Sequence, residues 1–457
     1  MKRLSAIACL VLSACVSPQS ADVPQRRAIA AEVMPNTSPM RSFAPQGPAR
    51  VARSNTSVAA DFLDLSFRME SGRAIPVFSR FEGPVRVALT GNVPATAARD
   101  LSALLGRLRA EAGIDIGPAS GGTANIVVQF LPRSTMQAAV PNAACFVVPR
   151  VSSWDEFRAA RGTSRIDWTT LTQRDRAAIF IPSDVAPQEA RDCLHEELAQ
   201  ALGPLNDLYH LSDSVFNDDN FNTVLTGFDM LVLRTTYARE LRSGMTKAEV
   251  AARLPAILPR LNPAGGGVSL SAGVQTPRAW INAVETALSP RSSDSARRAG
   301  AQTALAIAQS QGWSDNRRAF AHFLLARLSM SSQVDQAVSQ FAEASRYYAR
   351  LPGGALHQAH VDMQMAAFAL SSGQYDQVLS LTQRASPVVT REQNAAVLAT
   401  LQMLRAEALA ATGRTAEAQA ARLDSLGWAR YGFGSEAQVQ ARLSEVSALA
   451  PRRTASR

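Results

Sequence analysis

The stretch Cys193-Leu194-His195-Glu196-Glu197-Leu198-Ala199-Gln200-Ala201-Leu202-Gly203-Pro204-Leu205-Asn206-Asp207 holds the most chemistry-bearing side chains in this 457-residue sequence. Counted from His195 it opens like the H-E-x-x-H zinc pattern, in which two imidazoles one helical turn apart bind the ion and the adjacent glutamate is the general base. Position i+4 is Ala199, so the second imidazole is missing. A catalytic zinc needs three nitrogen, sulfur or carboxylate ligands and a fourth position open to water. Without an ion to lower the pKa of that water, Glu197 is a weak route to hydrolysis. Glu196 and Glu197 are helix neighbours and point about 100° apart, so they cannot serve one small site as an acid/base pair. His195 and His210 could add ligands beside Glu196 or Asp213, but a histidine at a helix start and another in a loop are more often structural. No Gly-x-Ser-x-Gly, P-loop or dinucleotide fingerprint occurs.

The element that must carry this stretch is a helix over residues 187–202, and the pattern around it is α+β. Strands are expected at 84–89, 124–131, 144–149 and 177–181. Helices are expected at 95–112, with Leu101, Leu104, Leu105 and Leu108 on one face, at 225–242, and at 247–258, where Thr246 and Glu249 form a capping box. Asn262-Pro263-Ala264-Gly265-Gly266-Gly267 ends the pattern, and a short helix follows at 279–288. From residue 294 to 449 everything reads as helix. Three helix pairs, 325–341, 365–381 and 404–420, overlay at a period of about 40 residues, each with a small-residue turn near Ser332, Gly373 or Gly413. One pair cannot bury its apolar face alone, so stacking into an array is the expected solution. The Gly-x-x-x-x-Ala endings resemble tetratricopeptide-like repeats, which implies a surface for a protein partner, although the period is longer than the usual one and the Trp and Tyr signatures are absent.

The N-terminus begins with Lys2 and Arg3, continues through an apolar stretch to Val11, and ends in Leu12-Ser13-Ala14-Cys15. That is the order of a signal peptide, and the apolar stretch is too short to span a bilayer, which takes about 20 residues. Leu-Ser-Ala-Cys resembles the lipobox of bacterial lipoproteins. The resemblance implies that residues 1–14 are removed, that Cys15 is acylated and anchors the chain to a membrane, and that the body faces the periplasm. Val16 in place of Asp favours the outer membrane. Residues 15–60, rich in Ala, Ser, Pro and Arg, are expected to be a disordered tether. With Cys9 removed and Cys15 lipidated, Cys145 and Cys193 remain in an oxidising compartment and are expected to bond. Two free thiols or a metal-binding pair are the alternatives, and the latter lacks C-x-x-C spacing. The net charge of +9 is spread along the chain rather than clustered among aromatics, so nucleic acid is not an expected partner. Anionic lipid or envelope polymer is a more economical use of it.

A second register fits the central stretch better. From Glu196, the run Glu196-Glu197-x-x-Gln200-x-x-Gly203-x-x-Asn206 is similar to the metzincin pattern H-E-x-x-H-x-x-G-x-x-H. Ala124-Asn125-Ile126-Val127-Val128-Gln129-Phe130 looks like the strand of matrixin-type metzincins, Ser214-Val215-Phe216-Asn217 stands where their Met-turn would be, and Leu225 to Tyr237 is similar to their closing helix. The chain also resembles a family of uncharacterised proteobacterial lipoproteins related to zincin peptidases, with Glu-Glu-x-x-Gln-x-x-Gly and Phe-Asn-Asp as recurring words; Phe216-Asn217-Asp218 matches the latter. The resemblance implies a zincin-like domain over residues 61–261, a linker over 262–293, helical repeats over 294–450 and a basic tail over 451–457.

All three metal-ligand positions of that register are replaced, by Glu196, Gln200 and Asn206. Amides are poor zinc ligands, and a carboxylate from Asp207 would arrive only if the turn shifted; such an oxygen-rich set suits Ca²⁺ or Mg²⁺ better. The expectation is a domain with no metal and no cofactor that binds a peptide or envelope polymer through Glu196, Gln200, Asn206 and Asp207. The competing readings are an envelope hydrolase with Glu197 as base, and a purely structural helix whose glutamates favour its dipole.

Overall fold

The computed structural model describes residues 39–44, 47–120, 124–141, 143–270 and 273–451. The signal peptide, Cys15 and most of the expected tether lie outside the described residues, as does nearly all of the basic tail. No helix of the described residues is long and apolar enough to cross a membrane.

The last residues of the segment expected to be a tether, 55–60, are helical. Helix α1 (Asn55–Phe67) starts on a Ser54 cap that accepts from the Ser57 amide, and it buries Val58, Ala59, Phe62, Leu63 and Leu65. Its first turns, Asn-Thr-Ser-Val-Ala-Ala, share the Ala/Ser bias of the preceding segment, which hides the helix until Phe62. It packs on α7 (Lys247–Leu261), so the first folded unit is closed by its own two ends.

Between them lie β1 (Val85–Gly91), α2 (Ala97–Ala112), β2 (Ile116–Pro118), β3 (Ile126–Leu131), α3 (Arg133–Ala139), β4 (Phe146–Pro149), α4 (Trp154–Ala160), β5 (Ala177–Pro182), α5 (Pro187–Leu202) and α6 (Gly227–Thr236). The strands form one sheet in the order β2-β1-β3-β5-β4, parallel except for β4, which runs antiparallel to β5 at the edge. β5 is buried along its whole length, as expected for a strand covered on both faces. The longer elements fall where periodicity placed them. The short β2, α3 and α4 were not expected, being too brief to show a period. α6 stops at Thr236 rather than running to 242, because Thr235 and Thr236 turn their hydroxyls back on Leu231 and Val232 and the chain leaves at Ala238.

Cys145 and Cys193 are bonded, with Cα atoms 6.0 Å apart, tying the entrance of β4 to the middle of α5 across 48 positions. Closing such a loop stabilises the fold by roughly 4 kcal/mol on the chain-entropy account. Replacing both cysteines by serine should lower the unfolding free energy by about 3 kcal/mol. Urea unfolding checks this, and an unchanged midpoint would show the bond to be dispensable.

The rest is helical: α8 (Arg278–Leu288), α9 (Asp294–Ser310), α10 (Asn316–Ser329), α11 (Val334–Tyr348), α12 (Ala355–Ser371), α13 (Tyr375–Arg391), α14 (Ala395–Ala411), α15 (Thr415–Phe433) and α16 (Glu436–Ser447). Successive helices pack as antiparallel neighbours, and each pair meets the next, forming an array with one continuous core. Gly373 and Gly413 sit at φ +72° and +81° in the turns of the second and third pairs, where a side chain would be strained.

The sheet domain and the array are not beads on a string. The connection from α5 to α6 sends Tyr209 and Phe221 into the core of the array, where Tyr209 meets Trp280 at 5.0 Å and Phe221 meets His357 at 4.4 Å. Asp219, at the turn of this connection, is fully enclosed. It accepts from Asn217 (2.9 Å), from Asn316 of α10 (2.7 Å), from His357 of α12 (3.1 Å) and from the Phe221 amide (3.1 Å).

Candidate functional site

α5 begins with Pro187 at its first position and is covered by the sheet, α2 and α15. Its interior face carries Leu194, Leu198, Ala201 and Leu202, all with no exposed surface. That packing fixes the rotation of the helix and hence the directions of Glu196 and Glu197.

The helix stops at Gly203, as the register requires, but for a different reason than a left-handed cap. Gly203 is extended, at φ −170°; a Cβ there would stand 2.9 Å from Cγ2 of Thr236. Glycine is needed because α6 comes so close. Arg174 closes this end of α5, its guanidinium donating to the carbonyls of Gln200 (2.6 Å), Ala201 (2.8 Å) and Gly203. These bonds satisfy carbonyls that a helix end otherwise leaves orphaned.

The residues of the register do not all converge. Asn206 is buried and donates to the Asp64 carbonyl of α1 at 3.1 Å, so its amide is spent on holding the turn. Gln200 is buried at 6 % exposure in the last turn of α5. His195 is also structural: its Nδ1 accepts from the Leu225 amide at 3.1 Å, and burial, with Arg191 and Arg107 nearby, holds it neutral. His210 turns its Nε2 to Asp61 at 2.9 Å. Among the described residues no three His, Cys, Asp or Glu side chains are grouped so as to hold a metal ion.

Glu196 lies within electrostatic reach of both Glu197 and Asp207, and two carboxylates that sequence reasoning left out join them. Glu70, in the exposed turn after α1, acts on all three, and Asp218, to which Tyr209 donates, faces Glu196 and Asp207. Both Asp207 oxygens are shut from solvent and receive no donor, and one Glu197 oxygen is in the same state. Burial raises Glu196, Glu197, Asp207 and Asp218 above their ordinary values, and repulsion from neighbouring carboxylates adds to it: Glu196 to about 8, Asp218 to about 7, Glu197 and Asp207 well up. Among the described residues no Lys or Arg pairs with Glu70, Glu196, Glu197, Asp207 or Asp218 within 4 Å. Phe-Asn-Asp was the sequence signal that could have led to Asp218; Glu70 has none.

Asp229, enclosed in the first turn of α6, accepts from Ser214 Oγ, from the Val215 amide at 3.1 Å and from the Thr226 amide at 2.8 Å. It locks Ser214 and Val215 to the start of α6, and burial raises its own pKa to about 6 despite those donors. Glu197 fares poorly as a general base. Burial to 4 % exposure, with Glu196 and Glu70 nearby, pushes its pKa up and so works against the free carboxylate that a base must present.

Residues 55–256 match a family described as protein of unknown function (DUF2927). This part of the chain is a DUF2927 domain. No curated protein and no solved structure matches the chain. The DUF2927 domain runs from the first residue of α1 into α7, and it includes every member of the acidic cluster as well as the Asp219 hub.

Proposed function

We propose that the DUF2927 domain is a zincin-like module without a metal, and that it binds the cationic groups of a peptide or envelope polymer. The observation that carries this is the acidic cluster, which among the described residues has no cation of its own: five carboxyls, two of them with oxygens shut from solvent and without a donor, opening to the surface at exposed Glu70. The register of α5, its stop at Gly203 and the Ser214–Asn217 segment locked to α6 support the zincin-like frame. The helical array, read as tetratricopeptide-like, recruits a protein partner. The Cys145–Cys193 bond supports an oxidising compartment, in keeping with a periplasmic body anchored through acylated Cys15 at the outer membrane.

A bound ammonium or guanidinium would displace protons from the cluster, so affinity should rise with pH. Tetralysine amide titrated by calorimetry into the full chain should bind at least tenfold more tightly at pH 8 than at pH 6, release protons, and weaken with salt. Glu196→Gln with Asp207→Asn should lose the binding, and acetylated tetralysine should not bind. Equal binding by the double variant would sink the proposal. So would chelator-sensitive peptide cleavage lost in Glu197→Gln, which would establish a hydrolase instead.

A further inference from the structure

Residues 39–44, Pro-Met-Arg-Ser-Phe-Ala, lie as an extended strap on the helical array. The Arg41 amide donates to the Gly427 carbonyl of α15 at 3.0 Å, and the Arg41 guanidinium meets Asp424 at 2.5 Å. Phe43 stacks on Trp428 with ring centres 4.5 Å apart, and Gln393 donates to the Ala44 carbonyl at 3.0 Å. The helix is cut to receive this strap. Gly427 lies inside α15, where glycine is a poorer helix former than alanine. A Cβ at that position would sit 2.8 Å from Arg41 Cγ and 3.1 Å from the Pro39 carbonyl oxygen.

Two further observations separate this contact from ordinary core packing. The strap is held lightly, with Arg41 half exposed and few main-chain bonds. By contrast, Arg53 farther along is enclosed in bonds to Asp213 and Asp61. The recess also continues past the strap: an open groove of about 600 Å³ runs from Arg41 and Trp428 along Pro387, Leu398 and Gln402, between α13, α14 and α15.

We propose that this groove is a receptor for an extended peptide bearing arginine and, two residues later, phenylalanine. Residues 39–44 fill it in cis, and a partner protein presenting the same Arg-x-Phe chemistry takes their place. This rests on the reading of the array as a partner-recruiting surface and names the ligand that the surface recognises. Asp424 supplies the charge for the arginine, Trp428 the platform for the aromatic ring, and Gly427 the carbonyl and the space for the main chain. A tethered occupant competes at high effective concentration, so the groove answers to a partner only when the strap is weakened or outcompeted.

The test uses a fluorescein-labelled hexapeptide of residues 39–44 and the full chain carrying Arg41→Ala with Phe43→Ala, which removes the strap's two side-chain anchors and leaves Asp424, Gly427 and Trp428 in place. Anisotropy should show the hexapeptide binding this variant at least tenfold more tightly than the unaltered chain. Adding Asp424→Arg should abolish the gain, and a hexapeptide with both side chains cut to alanine should not bind. Should the strap variant fold poorly by circular dichroism, the unaltered chain supplies the answer: excess unlabelled hexapeptide should accelerate amide exchange at Arg41. Equal affinity for the strap variant and the unaltered chain, or exchange at Arg41 indifferent to the peptide, would overturn the groove assignment. A partner captured by the array from which Asp424→Arg subtracts nothing would keep the recruiting role and remove the groove from it.

Discussion

Replacing Asp219 by alanine should lower the unfolding free energy by about 3–5 kcal/mol, the cost typical of removing one partner from an enclosed charged network. The carboxylate takes bonds from Asn217, Asn316 and His357, two of which belong to the helical array, and from the Phe221 amide. Facing a carboxylate, His357 Nε2 must donate. Its ring is held between Phe221 at 4.4 Å and Tyr348 at 4.8 Å, so it cannot swing to another partner. Alanine would leave the His357 ring N–H and the Phe221 amide without an acceptor, and would take one of two acceptors from the side-chain amides of Asn217 and Asn316, which keep the Leu211 and Tyr209 carbonyls. Because the loss falls on the seam, the unfolding curve should also change shape, from one transition to two as the sheet domain and array part company. Asp219→Asn keeps one oxygen and should cost less. A single unshifted transition in Asp219→Ala, followed by far-ultraviolet circular dichroism in urea, would show that the network does not couple the two units.

The second large effect is a loss of stability toward alkaline pH. A carboxyl whose pKa is raised by folding keeps its proton at a pH where the unfolded chain has released it, so stability falls as pH climbs between the two values. For Glu196 that window runs from 4.5 to about 8, and for Asp218 from 3.8 to about 7. Glu197 and Asp207 extend the decline in the same direction. Allowing for groups partly open to solvent, the chain should lose on the order of 3 kcal/mol between pH 5.5 and pH 8. At the acid end the sign reverses: Asp167, held at about 2 by Arg73 and the Thr169 amide, loses its contribution as pH falls through that value. Stability should therefore peak in mildly acid solution. Glu196→Gln with Asp207→Asn should flatten the alkaline limb, since amides have no proton to lose. A level profile from pH 5.5 to 8, or an unchanged slope in that double variant, would refute the account of the cluster.

Much of this architecture was legible from the residues. Alternating apolar runs located β1, β3, β4 and β5, and α5 spans the 187–202 stretch because Pro187 opens it and Gly203 ends it. The helix pairs of the array announced themselves through small residues at their turns. What stayed hidden was short, biased or distant. α1 was masked by the Ala/Ser composition that it shares with the segment before it. Glu70 was invisible because nothing in a turn after a helix tells that it folds back over residues 196–218. The amides failed as guides for an instructive reason: a register names positions on a helix, whereas the directions of side chains depend on what the chain does next. Asn206 was expected to face a ligand and instead pins α1, while Asp207, one residue on, takes the enclosed place.

Tyr209 and Phe221 carry a practical warning about where this protein can be cut. They belong to the sheet domain by sequence and to the array by burial. A fragment ending near residue 256, the limit of the family match, would present both rings to water together with a severed Asp219 hub, and a fragment holding only the array would have two holes where they belong. Truncations designed on sequence borders should come out of the cell as insoluble material, and crystallisation or display of either half would have to begin by mutating those rings.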